Sequence, residues 1–238
     1  MKIFLLAFIS ILTINQVDGQ KEITEGHIKM KITEATSDDE QMEAMLQMIV
    51  GTTTEYFFNL EKALVKADMM GGMVKMTSLV NVEDEHTTLL MDMMGNKMMV
   101  ESTKEEREGL EEGQSEMMED LEIVTDETDT KEILGLNCVK VNVSHPEQPD
   151  GISFVMYVAK DLKLSNKIVQ GMESLDLGGF PLEYLFSSGP MNLKMEAQEL
   201  FLDVDSDVFN VSTTGYKKMT MEEFIESMGG MGGGGLGF

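Results

Sequence analysis

Tryptophan is absent from this 238-residue chain, cysteine occurs once and proline four times. The lone Cys138 excludes an intrachain disulfide, so the fold must be held by its core alone. Basic residues are scarce: 18 Lys and Arg stand against 43 Asp and Glu, a formal net charge of −25. Such a surface repels nucleic-acid phosphates and anionic headgroups by the same Coulomb term, which sets nucleic-acid binding aside first. Catalytic signatures are missing as well. There is no G-x-S-x-G elbow, no phosphate-cradling glycine loop and no H-E-x-x-H pair. Carboxylate pairs are so common here that they carry no information about acid–base chemistry. The chain therefore reads as non-enzymatic, with no cofactor expected.

Long apolar runs are also lacking after the first residues. Lys2 supplies a positive start, residues 3–14 (IFLLAFISILTI) are apolar apart from Ser10 and Thr13, and Val17-Asp18-Gly19 precedes Gln20. Twelve such residues are too few for a bilayer that needs about 20. The layout is that of a secretory signal peptide cut after Gly19. The expectation is an exported protein, periplasmic or extracellular, with no transmembrane segment. Residues 20–228 are long enough for one domain with a sizeable core. Lys2 and Asp18 leave together, so the mature charge is unchanged.

What is present reads mainly as β structure. Residues 25–36 place Ile28, Met30 and Ile32 on one face and Lys29, Lys31 and Thr33 on the other, a period of two. Ser37 or Asp38 can cap a helix running to about Ile49, with Met42, Met45, Leu46 and Ile49 on one face. Strand-like runs follow at 52–60, 63–70, 73–82, 87–93 and 97–102, punctuated by Gly71-Gly72 and Gly95-Asn96. Residues 104–120 are acidic with little to bury and read as a solvated loop or exposed helix. Strand patterns resume at 121–125, 136–143, 152–158 and 193–203, with a Gly178-Gly179-Phe180-Pro181 bend inside 167–189. Thr220 and Glu223 form a capping box for a helix at 220–228, faced by Phe224, Ile225 and Met228. Residues 229–238 are nearly all glycine and are expected to be disordered.

Four segments resemble a family of exported Bacteroidota proteins known as a domain of unknown function (DUF4412). They are Leu90-Met91-Asp92-Met93-Met94-Gly95-Asn96-Lys97, residues 125–141 (TDETDTKEILGLNCVKV), Gly179-Phe180-Pro181-Leu182-Glu183, and Asp207-Val208-Phe209-Asn210-Val211 with Gly215-Tyr216-Lys217-Lys218-Met219. Two positions depart from the family pattern. Leu136 replaces an aromatic residue, and Ser212 or Thr213 stands where proline is common. The resemblance implies the half-barrel of periplasmic lipoprotein carriers: an antiparallel sheet closed over by helices, with an apolar concavity. It implies no catalytic residue.

Candidate sites compete with structural explanations. Asp203, Asp205 and Asp207 begin like a calcium loop, but Val208 and Thr214 fall where such a loop needs glycine and glutamate, so a solvated turn is expected. His27, His86 and His145 form no paired ligand motif. Cys138 sits in an apolar strand and reads as buried. The NVS triplets at Asn142 and Asn210 matter only in a eukaryotic secretory route. Methionine is the most unusual component, with 24 residues. Met69, Met70, Met73 and Met76 surround one glycine turn, Met91, Met93, Met94, Met98 and Met99 another, and Met228 and Met231 repeat the spacing. Thioethers suit soft apolar walls and also monovalent copper.

The reading is thus a mainly β (α+β) chain: a curved antiparallel sheet or half-barrel with one or two short amphipathic helices on its concave face. It would bind an apolar small molecule or lipid chain against Phe57, Met91, Met93, Phe154 and Met156. A methionine-based copper protein and an envelope scaffold are the alternatives. No metal site is assigned.

Overall fold

The computed structural model describes residues 22–107, 121–146, 151–164 and 175–229. The expected leader (1–19), most of the acidic stretch (108–120) and the glycine-rich residues from 230 onward lie outside them. Twelve strands form one open, curved sheet. They are β1 (Gly26–Ser37), β2 (Thr53–Phe58), β3 (Lys62–Met69), β4 (Val74–Asn81), β5 (Thr87–Met93), β6 (Asn96–Ser102), β7 (Glu122–Ile133), β8 (Leu136–Ser144), β9 (Ile152–Ala159), β10 (Phe180–Ser188), β11 (Met191–Phe201) and β12 (Lys217–Met219). Two short helices, α1 (Glu40–Leu46) and α2 (Met221–Gly229), accompany the sheet. The spatial order is β12-β6-β5-β4-β3-β2-β1-β11-β10-β9-β8-β7. All pairs are antiparallel except β12 against β6. The meander expected for residues 52–102 is present, and the half-barrel class holds.

The period of two in β1 sets the inner face. Ile28, Met30 and Ile32 are all at most 3% exposed. Across the register their rows continue as Tyr56 and Thr54, Val65 and Ala67, then Ser78 and Met76, Leu89 and Met91, and Val100 and Met98. In the other direction Ile32 faces Met195, followed by Tyr184, Met156 and Val141. One apolar cluster fills the concave side over β1–β3 and β8–β11. Leu46, Ile49, Leu162, Leu164, Leu175 and Leu177 cover it.

Helix α1 is shorter than its apolar spacing suggests. Asp39, rather than Ser37 or Asp38, is the cap, accepting from the Gln41 and Met42 amides at 2.9 Å. Glu43 reaches back to the Ser37 amide at 2.6 Å. After Leu46 the chain tightens into turns, with the Met48 and Ile49 amides bonded three residues back. Only Leu46 and Ile49 are then buried, while Met42 and Met45 face outward.

At the other end the capping box forms as expected. Thr220 Oγ1 accepts from the Glu223 amide at 3.1 Å, and Glu223 Oε2 accepts from the Thr220 amide at 2.9 Å. Replacing Thr220 with alanine should cost α2 about 1 kcal/mol of local stability. Amide exchange at Glu223 reports this directly, and unchanged protection there would contradict the cap.

Three strand expectations need correction. β7 runs to Ile133 rather than stopping near 125, because an edge strand with both faces in solvent needs no apolar alternation and tolerates its run of carboxylates. β10 replaces an expected bend: Pro181 is accommodated beside a register shift between Pro181 and Glu183, where no regular ladder hydrogen bond is demanded. β12 is three residues long, too short to leave a pattern.

The outer face carries a second, smaller packing layer. Leu64, Leu90 and Phe209 are each at most 3% exposed yet lie outside the main cluster. Leu64 and Leu90 point outward by register. The 3-10 turn Ser206–Phe209 lies against β3, so the connection from β11 to β12 crosses the convex side over β1–β5. Asp205 and Asp207 serve that turn. Asp205 Oδ1 accepts from the Asp207 amide, and Asp207 Oδ1 from Asn210 Nδ2.

Candidate functional site

The concave side has two unlike halves. Over β1 and β8–β11 it is filled: Met156 has no exposed surface and Phe154 is 7% exposed, its ring 5.1 Å from that of Phe186. Over β4–β6 the same face changes character. Val74, Met76, Val80, Leu89 and Met93 are half-buried, and between them Met91 and Met98 are buried. The registers Val74–Met93, Met76–Met91, Met91–Met98 and Leu89–Val100 make these side chains one contiguous patch. Helix α2 borders it on β6, where Ser227 Oγ lies 3.7 Å from Met98 Sδ.

The five wall candidates therefore divide. Met91 and Met93 lie in the half-buried patch, and Phe154 and Met156 share its face but sit in the filled half. Phe57 is on the convex side. There it stacks on His27 with ring centroids 4.0 Å apart and lies under Lys66 at 5.0 Å. Alternation in a single strand could not say which of Tyr56, Phe57 and Phe58 turns inward. The register with β1 decides it, pairing Ile28 with Tyr56 and Gly26 with Phe58.

Away from the Leu64, Leu90 and Phe209 layer the convex side carries polar residues. A shallow depression of about 200 Å3 is lined by the outward Thr53, Glu55, Lys66, Asp68, Lys75 and Thr77. Next to it, His27 Nε2 lies 3.3 Å from Glu55 but off hydrogen-bonding alignment, which leaves that nitrogen unsatisfied. Burial holds the imidazole pKa below its ordinary value against the pull of Glu55, so His27 is neutral at pH 7. His86 and His145 lie on other loops. Among the described residues no three His, Cys, Asp or Glu side chains converge to hold a metal ion.

Cys138 is fully buried, its thiol 3.6 Å from the Leu136 carbonyl. Burial is the main cause that pushes its pKa up to about 11, so it is neither nucleophile nor ligand at neutral pH. Folded protein should leave Cys138 unlabelled by a thiol reagent at pH 8, and urea should expose it. The raised folded value also means that stability falls as pH climbs from the ordinary thiol range toward 11, where only the unfolded chain ionises. Rapid labelling of the folded state would contradict this placement.

No described helix is long and apolar enough to cross a membrane. No family model and no curated protein sequence matches the chain, so the likeness to the Bacteroidota family stays a resemblance. Among solved structures the chain is similar to the Mycobacterium tuberculosis lipoprotein LppX, at 11% identity and TM-score 0.37, over 78% of this chain and 90% of that one. A DUF1329 family protein from Desulfovibrio piger aligns at 10% identity and TM-score 0.36, over 83% and 92%. The Pseudomonas aeruginosa MucA/MucB complex aligns at 10% identity and TM-score 0.34, over 79% of this chain and 56% of the matched one. At these identities and TM-scores the likenesses carry no functional meaning by themselves.

Proposed function

We propose that this is an exported, non-enzymatic protein of the cell envelope whose concave face over β4–β6 reversibly takes up an apolar ligand such as a lipid acyl chain. The observation behind it is the patch formed by Val74, Met76, Val80, Leu89 and Met93, which stays half-exposed on the face that is buried elsewhere in the sheet. Burying about ten methylenes there gives about 8 kcal/mol gross. Association costs at least about 4 kcal/mol of that, so binding is weak and exchangeable, as a carrier requires. Methionine suits the role because its unbranched thioether adapts to chains of different shape.

Native mass spectrometry of protein purified without added lipid tests the proposal first, through an adduct of several hundred daltons lost on organic extraction. A fluorescent fatty-acid probe supplies the second reading. Leu89→Asp with Met93→Asp should weaken probe binding at least tenfold, while Phe57→Asp on the convex side should leave it unchanged. A bare mass together with probe binding indifferent to all three substitutions would overturn the assignment.

A further inference from the structure

Two hairpin turns at one end of the sheet break the same local rule with the same residue. The β5–β6 connection is a two-residue turn, Met94-Gly95, with both φ values positive (54° and 91°). The β3–β4 connection places Met70 at φ 53° ahead of Gly71 and Gly72. Left-handed backbone costs a side chain with Cβ about 1–2 kcal/mol. Asparagine, aspartate or glycine is the usual choice at the first position of a turn like Met94-Gly95. Methionine offers no local hydrogen bond in return, and the β7–β8 turn accepts Leu134 at φ 50° in the same way, so what distinguishes these two turns is the thioether each presents.

The two turns are also tied together. The Met94 amide donates to the Met73 carbonyl at 2.9 Å, which extends the β4–β5 ladder past Val74 and Met93. Met73 and Met94 are therefore adjacent across the end of the β4–β5 ladder, Met73 in right-handed and Met94 in left-handed backbone. Their side chains are 45% and 84% exposed. Met70 adds a third thioether from the same turn as Met73. Around them stand two carboxylates: Asp92, which accepts from the Gly95 amide at 2.8 Å and lies 3.8 Å from Lys97, and Asp68, close to Gly72.

We infer that Met70, Met73 and Met94 form a binding site for a soft monovalent metal ion, of the class of copper(I) or silver(I). Thioethers are neutral donors with no proton to lose, and they select soft ions over calcium, magnesium or zinc. The net charge of −25 favours a cation, while Asp68 and Asp92 are offset locally by Lys75 and Lys97 and do not serve as ligands. The site adjoins the apolar patch at the Val74–Met93 pair but shares no residue with it, so either assignment stands without the other.

The probe is silver(I) nitrate, which is redox-inert, added in chloride-free buffer to protein carrying 13C-methyl methionine. One equivalent should shift the Met70, Met73 and Met94 methyl signals first. Met42, Met45 and Met48, exposed on or just after α1 at 39%, 61% and 54%, should stay unmoved. Met73→Leu with Met94→Leu keeps the apolar volume and should weaken silver affinity at least tenfold in competition with a chromogenic chelator. Methyl shifts that merely follow exposure, or a double variant that binds silver unchanged, would sink the inference.

Discussion

Replacing Phe58 with alanine is expected to lower the free energy of unfolding by about 4 kcal/mol. Its ring is 1% exposed at the end of β2, within the main cluster. It also occupies the room that Gly26 leaves open, because a Cβ on Gly26 would stand 3.2 Å from Phe58 Cζ. Alanine would leave a cavity walled by strands whose ladder hydrogen bonds prevent collapse, and that residual void separates costly truncations from mild ones. Phe57, one residue away on the convex side, is an internal control. Its half-exposed ring is packed mainly against His27, so Phe57→Ala should cost about 1–2 kcal/mol. Urea denaturation of the two variants decides the matter, and equal midpoints would mean that the assignment of inner and outer faces is wrong.

The other large effect is expected from the smallest change. Gly179→Ala should destabilise by about 3 kcal/mol, because the added methyl would lie 2.4 Å from the Ala159 carbonyl oxygen and 2.8 Å from Lys160 Cα. These are backbone atoms at the end of β9, and no side-chain rotation relieves the contact. Gly179 does not have a positive φ, so its requirement is space rather than conformational freedom. Gly178, with φ 67° and open space around it, has the opposite requirement. Gly178→Asn should therefore be tolerated far better than Gly179→Ala, since asparagine is among the residues that accept left-handed backbone. A thermal unfolding scan of both variants distinguishes the two kinds of glycine, and comparable losses would refute the distinction.

Much of the architecture was legible in the chain because inner and outer residues alternate where one face is covered. β1 and the β2–β6 meander announce themselves through Ile28, Met30 and Ile32 and through the glycine turns. β7 stayed hidden because neither of its faces is covered, and β10 because Pro181 is read as a breaker unless a bulge is already known. The site was legible by residue type but not by direction. Methionine density pointed to Met91 and Met93, but β1 alone decides that Phe57 turns outward, and Met156 is closed off by leucines from distant loops. The methionines at the turns were visible as a cluster. That Met73 and Met94 are neighbours follows from a hydrogen bond between two separate hairpins, which spacing along the chain cannot encode.

The position of β1 has a consequence for timing. One of its edges pairs with β2 within a few tens of residues, but the other waits for β11, and the Lys29–Glu199 contact joins positions 170 residues apart. While the chain emerges from a ribosome, β1 holds an open row of amides and carbonyls until most of the protein has appeared. The β2–β6 meander and the β7–β9 hairpins can close early on local contacts, whereas the seam joining them cannot. The β11–β1 seam is thus expected to close late, as is the pairing of β12 with β6. Until then the chain exists as two half-sheets, each exposing part of an unfinished core.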